Sequence, residues 1–400
     1  MRKYFLHLIV YPAYAIGGIY FFYMDPIVKS IYFVFLILVF AYFKRLIGLS
    51  ILWVSLYLGM LFILQKMLFD RGTLYNYLGL IVVFGIPYLL WKIYRFSFLK
   101  IFVNIAFLLS IFSLIFWALS NLSQKFFLLS LEWPALLKTD PWVNESYIFY
   151  STREARSIFG LLRNNGGFWE PGAFGTTLVL ALLFSILLYP RIFHIKNLIL
   201  IITIITTFST SAYFALILVL IVYAYNSSFS LKQANNRVIV MIIIGVIAIL
   251  SLDFLGEKVQ IQYTNASERR LTEATSGRFF SVRKSLTGIT QQPLLGEYLV
   301  QERMEGEKLL HKEDLGLYGF FYLIQRIGIP TFILFLYFIY RGFLQILKNN
   351  DYKYFVQKTS KLMILAWLIL MFSQNLYWMP VSLYIFWVGI DSQILLMQKK

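Results

Sequence analysis

The sequence predicts an all-α polytopic membrane protein of about twelve transmembrane helices, with both termini cytoplasmic and two long loops on the outer side. Three observations predict it. Hydrophobic residues make up 60% of the 400 positions and the mean hydropathy is +0.72, whereas a soluble domain is roughly 45–50% apolar. Apolar runs close to the roughly 20 residues needed to cross about 30 Å of hydrocarbon follow one another along the chain. Between these runs Lys and Arg lie in short patches at alternate helix ends, the pattern that orients membrane helices.

Met1-Arg2-Lys3 precedes the first run, at 4–23. Ala13-Tyr14-Ala15 resembles a cleavage site, but hydrophobicity continues to Tyr23, so this run is expected to remain as an uncleaved helix. Helices at 28–43 and 48–65 are divided by Lys44 and Arg45, and those at 74–91 and 99–119 by Lys92, Arg95 and Lys100. These five occupy 1–119, and a polar stretch at 120–171 forms loop one. The next four, at 172–189, 196–208, 211–225 and 237–252, carry Arg191, Lys196, Lys232 and Arg237 at their inner turns. Loop two follows at 253–315. The last three, at 316–340, 360–378 and 380–397, complete 316–400, with the cations of the stretch from Arg341 to Lys361 and Lys399-Lys400 again on the inner side. The opposite short connections carry only Lys29, Lys66 and Arg71, which sets the orientation. The runs at 196–208 and 211–225, joined by Ser209-Thr210-Ser211, are short for full spans, but a bent or re-entrant pair leaves both long loops on the same side.

Charge and composition restrict the chemistry. The net charge of +17 is accounted for by orienting patches and loop cations, so no nucleic-acid partner is expected. With no cysteine, the chain has no disulfide, thiolate nucleophile or Cys-bound metal. Most acidic residues fall in the two long loops, whereas the inner connections hold only Asp351. The loops are therefore where ionic chemistry is expected. Aromatic residues make up 19% of the chain, and the belts at the two lipid–water interfaces account for many of them.

The most informative stretch is Arg163-Asn164-Asn165-Gly166-Gly167-Phe168-Trp169-Glu170-Pro171-Gly172-Ala173-Phe174, where loop one enters the sixth helix. Pro171 suits a first helical turn, where its missing N–H costs nothing. Glu170 then stands where the helix dipole favours an anion. A carboxylate there either caps the helix or faces a ligand, and spacing alone favours the cap. Arg326 and Asp391 lie inside predicted spans, about a dozen residues or roughly 15 Å from the outer ends. Such charges mark function or a structural pair. One expectation is that the two pair with each other; another is that Arg326 reaches a lipid diphosphate in an outward cavity.

The 163–174 stretch resembles the signature of the O-antigen polymerase family, within the O-antigen polymerase and ligase superfamily: Arg…Gly-Phe, then Trp or another residue, then Glu-Pro-Gly. In loop two, Ser276-Gly277-Arg278 followed by Pro293-Leu294-Leu295-Gly296 is similar to that family's Ser-Gly-Arg…Pro-Leu-x-Gly pattern. His311, ahead of Arg326-Ile327-Gly328-Ile329-Pro330, resembles its His-Asn segment and Gly-Ile turn, although Lys312 replaces the Asn here. The resemblance covers roughly 150–335 by motif. It implies a GT-C-like architecture in the bacterial inner membrane, a site facing the periplasm, and polymerisation of undecaprenyl-diphosphate-linked oligosaccharides. A chain-length regulator is an implied partner.

The residues suit that chemistry. A departing diphosphate calls for fixed cations, and Arg supplies permanently charged, bidentate donors. Arg163 and Arg278 are the first candidates; Arg156, Arg269, Arg270, Arg283 and Lys284 rank second, with headgroup anchoring or loop salt bridges as their plainer roles. Of the three histidines only His311 is on the outer side, so His311 and Glu170 compete as general base. No metal or other cofactor is expected, since Glu313-Asp314 is the best acidic pair and hard cations need several oxygen ligands. Three alternatives remain open: an O-antigen ligase acting on lipid A core, a flippase of lipid-linked glycans, and a lipid-phosphate-dependent glycosyltransferase using Asp25 beside Pro26.

Overall fold

A computed structural model of the chain describes residues 2–19, 26–43, 48–69, 74–123, 125–126, 160–189, 193–226, 241, 244–245, 285–286, 288–296, 319–349, 356–374, 376 and 379–397. Eleven helices and no strand occur among the described residues. They are α1 Arg2–Ala15, α2 Pro26–Tyr42, α3 Leu49–Phe69, α4 Leu74–Tyr94, α5 Ser97–Leu122, α6 Pro171–Leu188, α7 Ile195–Thr206, α8 Thr210–Asn226, α9 Phe320–Asn349, α10 Val356–Ser373 and α11 Pro380–Met397. Among the described residues, five stretches are long and apolar enough to cross a membrane: Leu49–Leu68, Tyr77–Tyr94, Ser97–Leu122, Pro171–Leu188 and Phe320–Asn349. Most of the other helices are shorter apolar segments. The protein is therefore a helical, membrane-embedded one. The helix expected at 237–252 and most of both long loops lie outside the described residues.

Two helix ends differ from the sequence expectation for identifiable reasons. The first helix was expected to reach 23 but α1 stops at Ala15. A turn at Gly17 and Gly18 follows, and the Gly18 carbonyl accepts from the Trp169 N–H at 2.9 Å. A Cβ on Gly18 would lie 2.0 Å from the Phe168 ring, so bare backbone is required there. At the other extreme α9 runs nine residues past 340, through Arg341 to Asn349. Arg341 and Lys348 do not end the helix, because Arg and Lys are good helix formers even where the apolar pattern stops.

The centre of the bundle is α6, buried from Pro171 to Leu187 and packed by α5, α7, α8 and α10. A helix apolar on every side belongs inside a membrane bundle. Small residues admit its neighbours: a Cβ on Gly175 would lie 2.8 Å from that of Ala212 on α8. A second group joins α9, α10 and α11 to α4. There α9 and α11 cross so closely that a Cβ on Gly342 would lie 2.0 Å from the Ile385 carbonyl oxygen, and one on Gly389 2.0 Å from that of Phe338. By contrast α3 stands at the rim, and its exposed Leu52, Leu56, Met60 and Ile63 suit lipid contact.

The helix ends define two poles. One carries Gly17, the 163–171 stretch, the α7–α8 turn, Gly319 and the α10–α11 connection; we call it the loop pole. Gly17 faces Thr177 and Met379 there, and Gly319 faces the Phe372 carbonyl. The other carries Trp91, Lys92 and Arg95, which surround Asp391 about 16 Å along α11 from Pro380.

Candidate functional site

The 163–174 stretch is held in place by its own polar atoms. The Asn164 N–H donates to the Thr206 carbonyl at 2.9 Å, and its amide nitrogen donates to Thr206 Oγ1 at 3.0 Å and Ser113 Oγ at 3.4 Å. Its Oδ1 accepts from the Gly166 N–H at 3.0 Å. Gly166 has φ 54°, and a Cβ there would lie 2.6 Å from the Phe174 ring, so the glycine answers both a left-handed turn and a close approach. Phe168 packs edge-on to Tyr14 at 5.6 Å. The stretch therefore joins α1, α5, α6 and α7 in one place.

Arg163 closes the α7–α8 turn. Its Nε donates to the Thr207 carbonyl at 3.2 Å and a terminal nitrogen to the Phe208 carbonyl at 3.0 Å. Phe208 has φ 46°, the left-handed residue that ends α7 and lets α8 begin. A guanidinium beside the last carbonyls of α7 also answers the negative end of its dipole. The two short runs expected at 196–208 and 211–225 are thus two helices meeting at a clamped turn.

Glu170 is the N-cap of α6, with extended φ −150° and ψ 154°, and Pro171 occupies the first turn. Its side chain makes no capping hydrogen bond. Instead Oε1 accepts from the Gln374 amide in the α10–α11 connection. The side-chain capping favoured by spacing does not occur, because the carboxylate is engaged by Gln374 instead.

The second half of the site is a break in α9. Gly328 has φ 77° and ψ 162°, and Pro330 follows. Proline has no N–H, so the carbonyl four residues earlier, that of Arg326, loses its helical donor. Gln65 on α3 replaces it: Nε2 donates to the Arg326 carbonyl at 2.8 Å and to the Leu295 carbonyl at 2.7 Å. The Ile329 N–H donates to the Pro293 carbonyl at 2.8 Å, outside the helix. Pro293-Leu294-Leu295-Gly296 thus fills the break. Gly296 has φ 72° and a Cβ on it would meet the Arg326 carbonyl 2.5 Å away; a Cβ on Gly328 would meet the Leu294 oxygen at 2.1 Å. Two stretches noted separately in the sequence are the two sides of one seam.

Arg326 extends from this seam. A terminal nitrogen donates to the Tyr322 hydroxyl one turn earlier, and the guanidinium carbon lies 4.3 Å from the Tyr322 ring centre. It borders a cavity of about 530 Å³ between α3, α4, α9 and α11. From Arg326 to Tyr337 the cavity follows α9 for roughly 16 Å, about half the hydrocarbon thickness. Leu58, Leu80, Phe84, Phe335 and Ile390 make its walls apolar. Trp53, Tyr57, Leu334 and Tyr337 are exposed members of the lining, so the cavity is a groove open to the surroundings. The Tyr57 hydroxyl meets Thr331 Oγ1 at 2.8 Å and ties α3 to α9 along it.

The expected pairing of Arg326 with Asp391 is corrected by the structure. Asp391 takes Lys92 Nζ at 2.5 Å, Trp91 Nε1 at 2.7 Å and Arg95 at 3.8 Å. Arg326 is at the loop-pole end of its helix, whereas Asp391 lies well along α11, where α4 brings its own cations.

Glu170 and the α9 break share the loop pole: Gln374 binds Glu170, and the adjoining end of α10 places the Phe372 carbonyl against Gly319, just before α9. Arg163 and Glu170 have separate partners. Arg156, Arg278 and His311 lie outside the described residues, as do Arg269, Arg270, Arg283, Lys284, Glu313, Asp314 and Asp25. Gln65, Tyr322 and Gln374 are parts of this pole that the sequence motifs did not include, and Asn164, though inside a motif, was given no role there. For Gln65 one signal existed, an uncharged polar residue within an apolar helix. Compared with known proteins, the chain matches no family model, no curated protein and no solved structure.

Proposed function

We propose that the chain is a glycosyltransferase of the bacterial cytoplasmic membrane that polymerises undecaprenyl-diphosphate-linked oligosaccharide units on the outer face. The observation that carries this reading is the buried Arg326 at the head of an open apolar groove. A lipid diphosphate is an amphiphile with an anionic head and a long apolar tail. A guanidinium meets the first and a groove within the hydrocarbon region meets the second. The seam that positions Arg326 is built from stretches resembling the O-antigen polymerase motifs, which narrows the head group to a glycan diphosphate.

In the proposed reaction a sugar hydroxyl of the incoming lipid-linked unit attacks the anomeric carbon of the growing glycan. The new C–O bond forms as the bond to the donor diphosphate breaks. The hydroxyl proton passes to His311 or Glu170, and undecaprenyl diphosphate leaves with the bond electrons. Arg278, Arg163, Arg156 and Arg326 are the cations proposed to receive that charge. Preorganised donors in a partly dry site are worth far more than in water.

The test is complementation of cells that make lipid-linked repeat units but lack a polymerase. The wild-type chain should restore a ladder of lengthened glycans, whereas Glu170→Gln and Arg278→Ala should leave single units that still reach the outer membrane. Normal polymer from both variants refutes the reading. Loss of the single units as well points to a ligase or a flippase.

A further inference from the structure

We infer that Gln65, on a helix that carries none of the motifs, is a positioning residue that sets the pose of Arg326 for the proposed transfer. The inference rests on that reading of the site. Its basis is the geometry of the seam. A break in a membrane helix leaves backbone groups that lipid cannot satisfy, at a cost of several kcal/mol each. In α9 the freed carbonyl is that of Arg326 itself, and Pro330 is the cause. Gln65, 1% exposed, supplies the missing donor and spends the same amide nitrogen on Leu295 across the seam. One side-chain nitrogen therefore fixes the backbone of Arg326 and the loop-two segment that covers it.

Two other contacts among the described residues each serve one side of the seam. The Ile329–Pro293 hydrogen bond joins loop two to α9 on the far side of Gly328, and Tyr322 holds only the guanidinium. Without Gln65 the Arg326 carbonyl and the Leu295 carbonyl both lose a donor from α3. The backbone bearing the guanidinium is then free to shift along the break, while the groove below keeps its apolar walls. A displacement of about 1 Å at a charge-stabilising group suffices for a large rate loss. Substrate binding, which the groove dominates, should change little. The expected signature is therefore in kcat and not in KM.

The experiment uses the full chain in membranes with lipid-linked repeat units as substrate. Gln65→Leu should lower kcat about tenfold, as expected for two lost hydrogen bonds, with KM within about threefold of wild type. Leucine is more favourable than glutamine in a membrane helix, so insertion should not suffer. The absence of cysteine allows a second, activity-independent readout. A thiol introduced by Leu294→Cys, at a position 69% exposed, should react readily with an impermeant maleimide. One introduced by Leu295→Cys, packed against the core, should react slowly and speed up when combined with Gln65→Leu. Gly296→Ala attacks the same seam from the other side and should reproduce the kcat loss. Unchanged kcat in Gln65→Leu and Gly296→Ala overturns the inference, and so does faster Leu295→Cys labelling with kcat intact, which reduces Gln65 to packing. Absence of polymer from the wild-type chain instead sinks the polymerase reading, which the labelling does not depend on.

Discussion

Arg326 on α9 and Asp391 on α11 are each 7% exposed, and each lies in a helix of a membrane protein, yet their surroundings differ in kind. Asp391 is met by an ammonium at 2.5 Å and an indole N–H at 2.7 Å, with a second cation at 3.8 Å, so its charge is spent inside the protein. Arg326 is steadied by a phenol and borders an open groove. The Asp391 cluster fixes α4 against α11, while the Arg326 seam holds a break in α9 at the edge of an open groove. Intramembrane charge is a pointer to function only after its partners are known.

The sharpest way to break this contrast is to remove the Asp391 carboxylate. Asp391→Ala leaves Lys92 facing no anion in a buried site, which costs about 3–5 kcal/mol. Thermal unfolding in detergent should fall accordingly. Replacing both partners, Asp391→Leu with Lys92→Leu, should recover most of that loss, since apolar pairs often match a buried ion pair. Arg95, half exposed, contributes little to the balance. Polymer made per folded molecule should be unaffected. A variant that keeps its stability but loses polymer would place Asp391 in the chemistry and dissolve the distinction.

The converse variant is Arg326→Gln. The proposed role predicts about a hundredfold loss of chain lengthening, roughly 2.7 kcal/mol of transition-state stabilisation. Stability should change by less than about 1 kcal/mol, because an uncharged side chain remains compatible with the apolar groove. An unfolding midpoint that drops as far as that of Asp391→Ala, with full polymer from the surviving molecules, would make Arg326 a structural charge too.

Much of this arrangement was legible beforehand, and the missing part has a common cause. Apolar runs give helices locally, so those from α2 to α8 and α11 lie within a few residues of expectation, and Pro171 started α6 as its chemistry requires. The charge of Asp391 in a span was also visible. Its partners were not, because Lys92 is 299 positions away and topology patches look alike whether or not they bind a carboxylate. The same holds for Gln65, whose acceptors are 230 and 261 positions distant. Gly296 and Gly328 stood out as members of two separate motifs, but that each lets the other's segment approach is a tertiary fact. Glu170 shows the limit from the opposite side: its place at a helix N-terminus was read correctly, and its partner, Gln374, was not.

The smallest expected effect, at Arg163, sharpens the comparison most, because this residue combines both kinds of behaviour. Its guanidinium already holds the Thr207 and Phe208 carbonyls, as a structural charge would, yet it belongs to a stretch proposed to face a diphosphate. Arg163→Gln removes two hydrogen bonds from a charged donor and a cation from the end of α7, worth about 1–2 kcal/mol of stability. Arg163→Lys keeps the charge but not the planar fork. If the residue only clamps the turn, the lysine variant should recover part of the lost stability and all of the polymer, since a point charge still answers a helix dipole. If it also receives a leaving diphosphate, the lysine variant should recover that same part of the stability while chain lengthening stays about tenfold down, because bidentate contact to phosphate oxygens is what lysine cannot supply. The two readouts together decide whether Arg163 belongs with Asp391 or with Arg326.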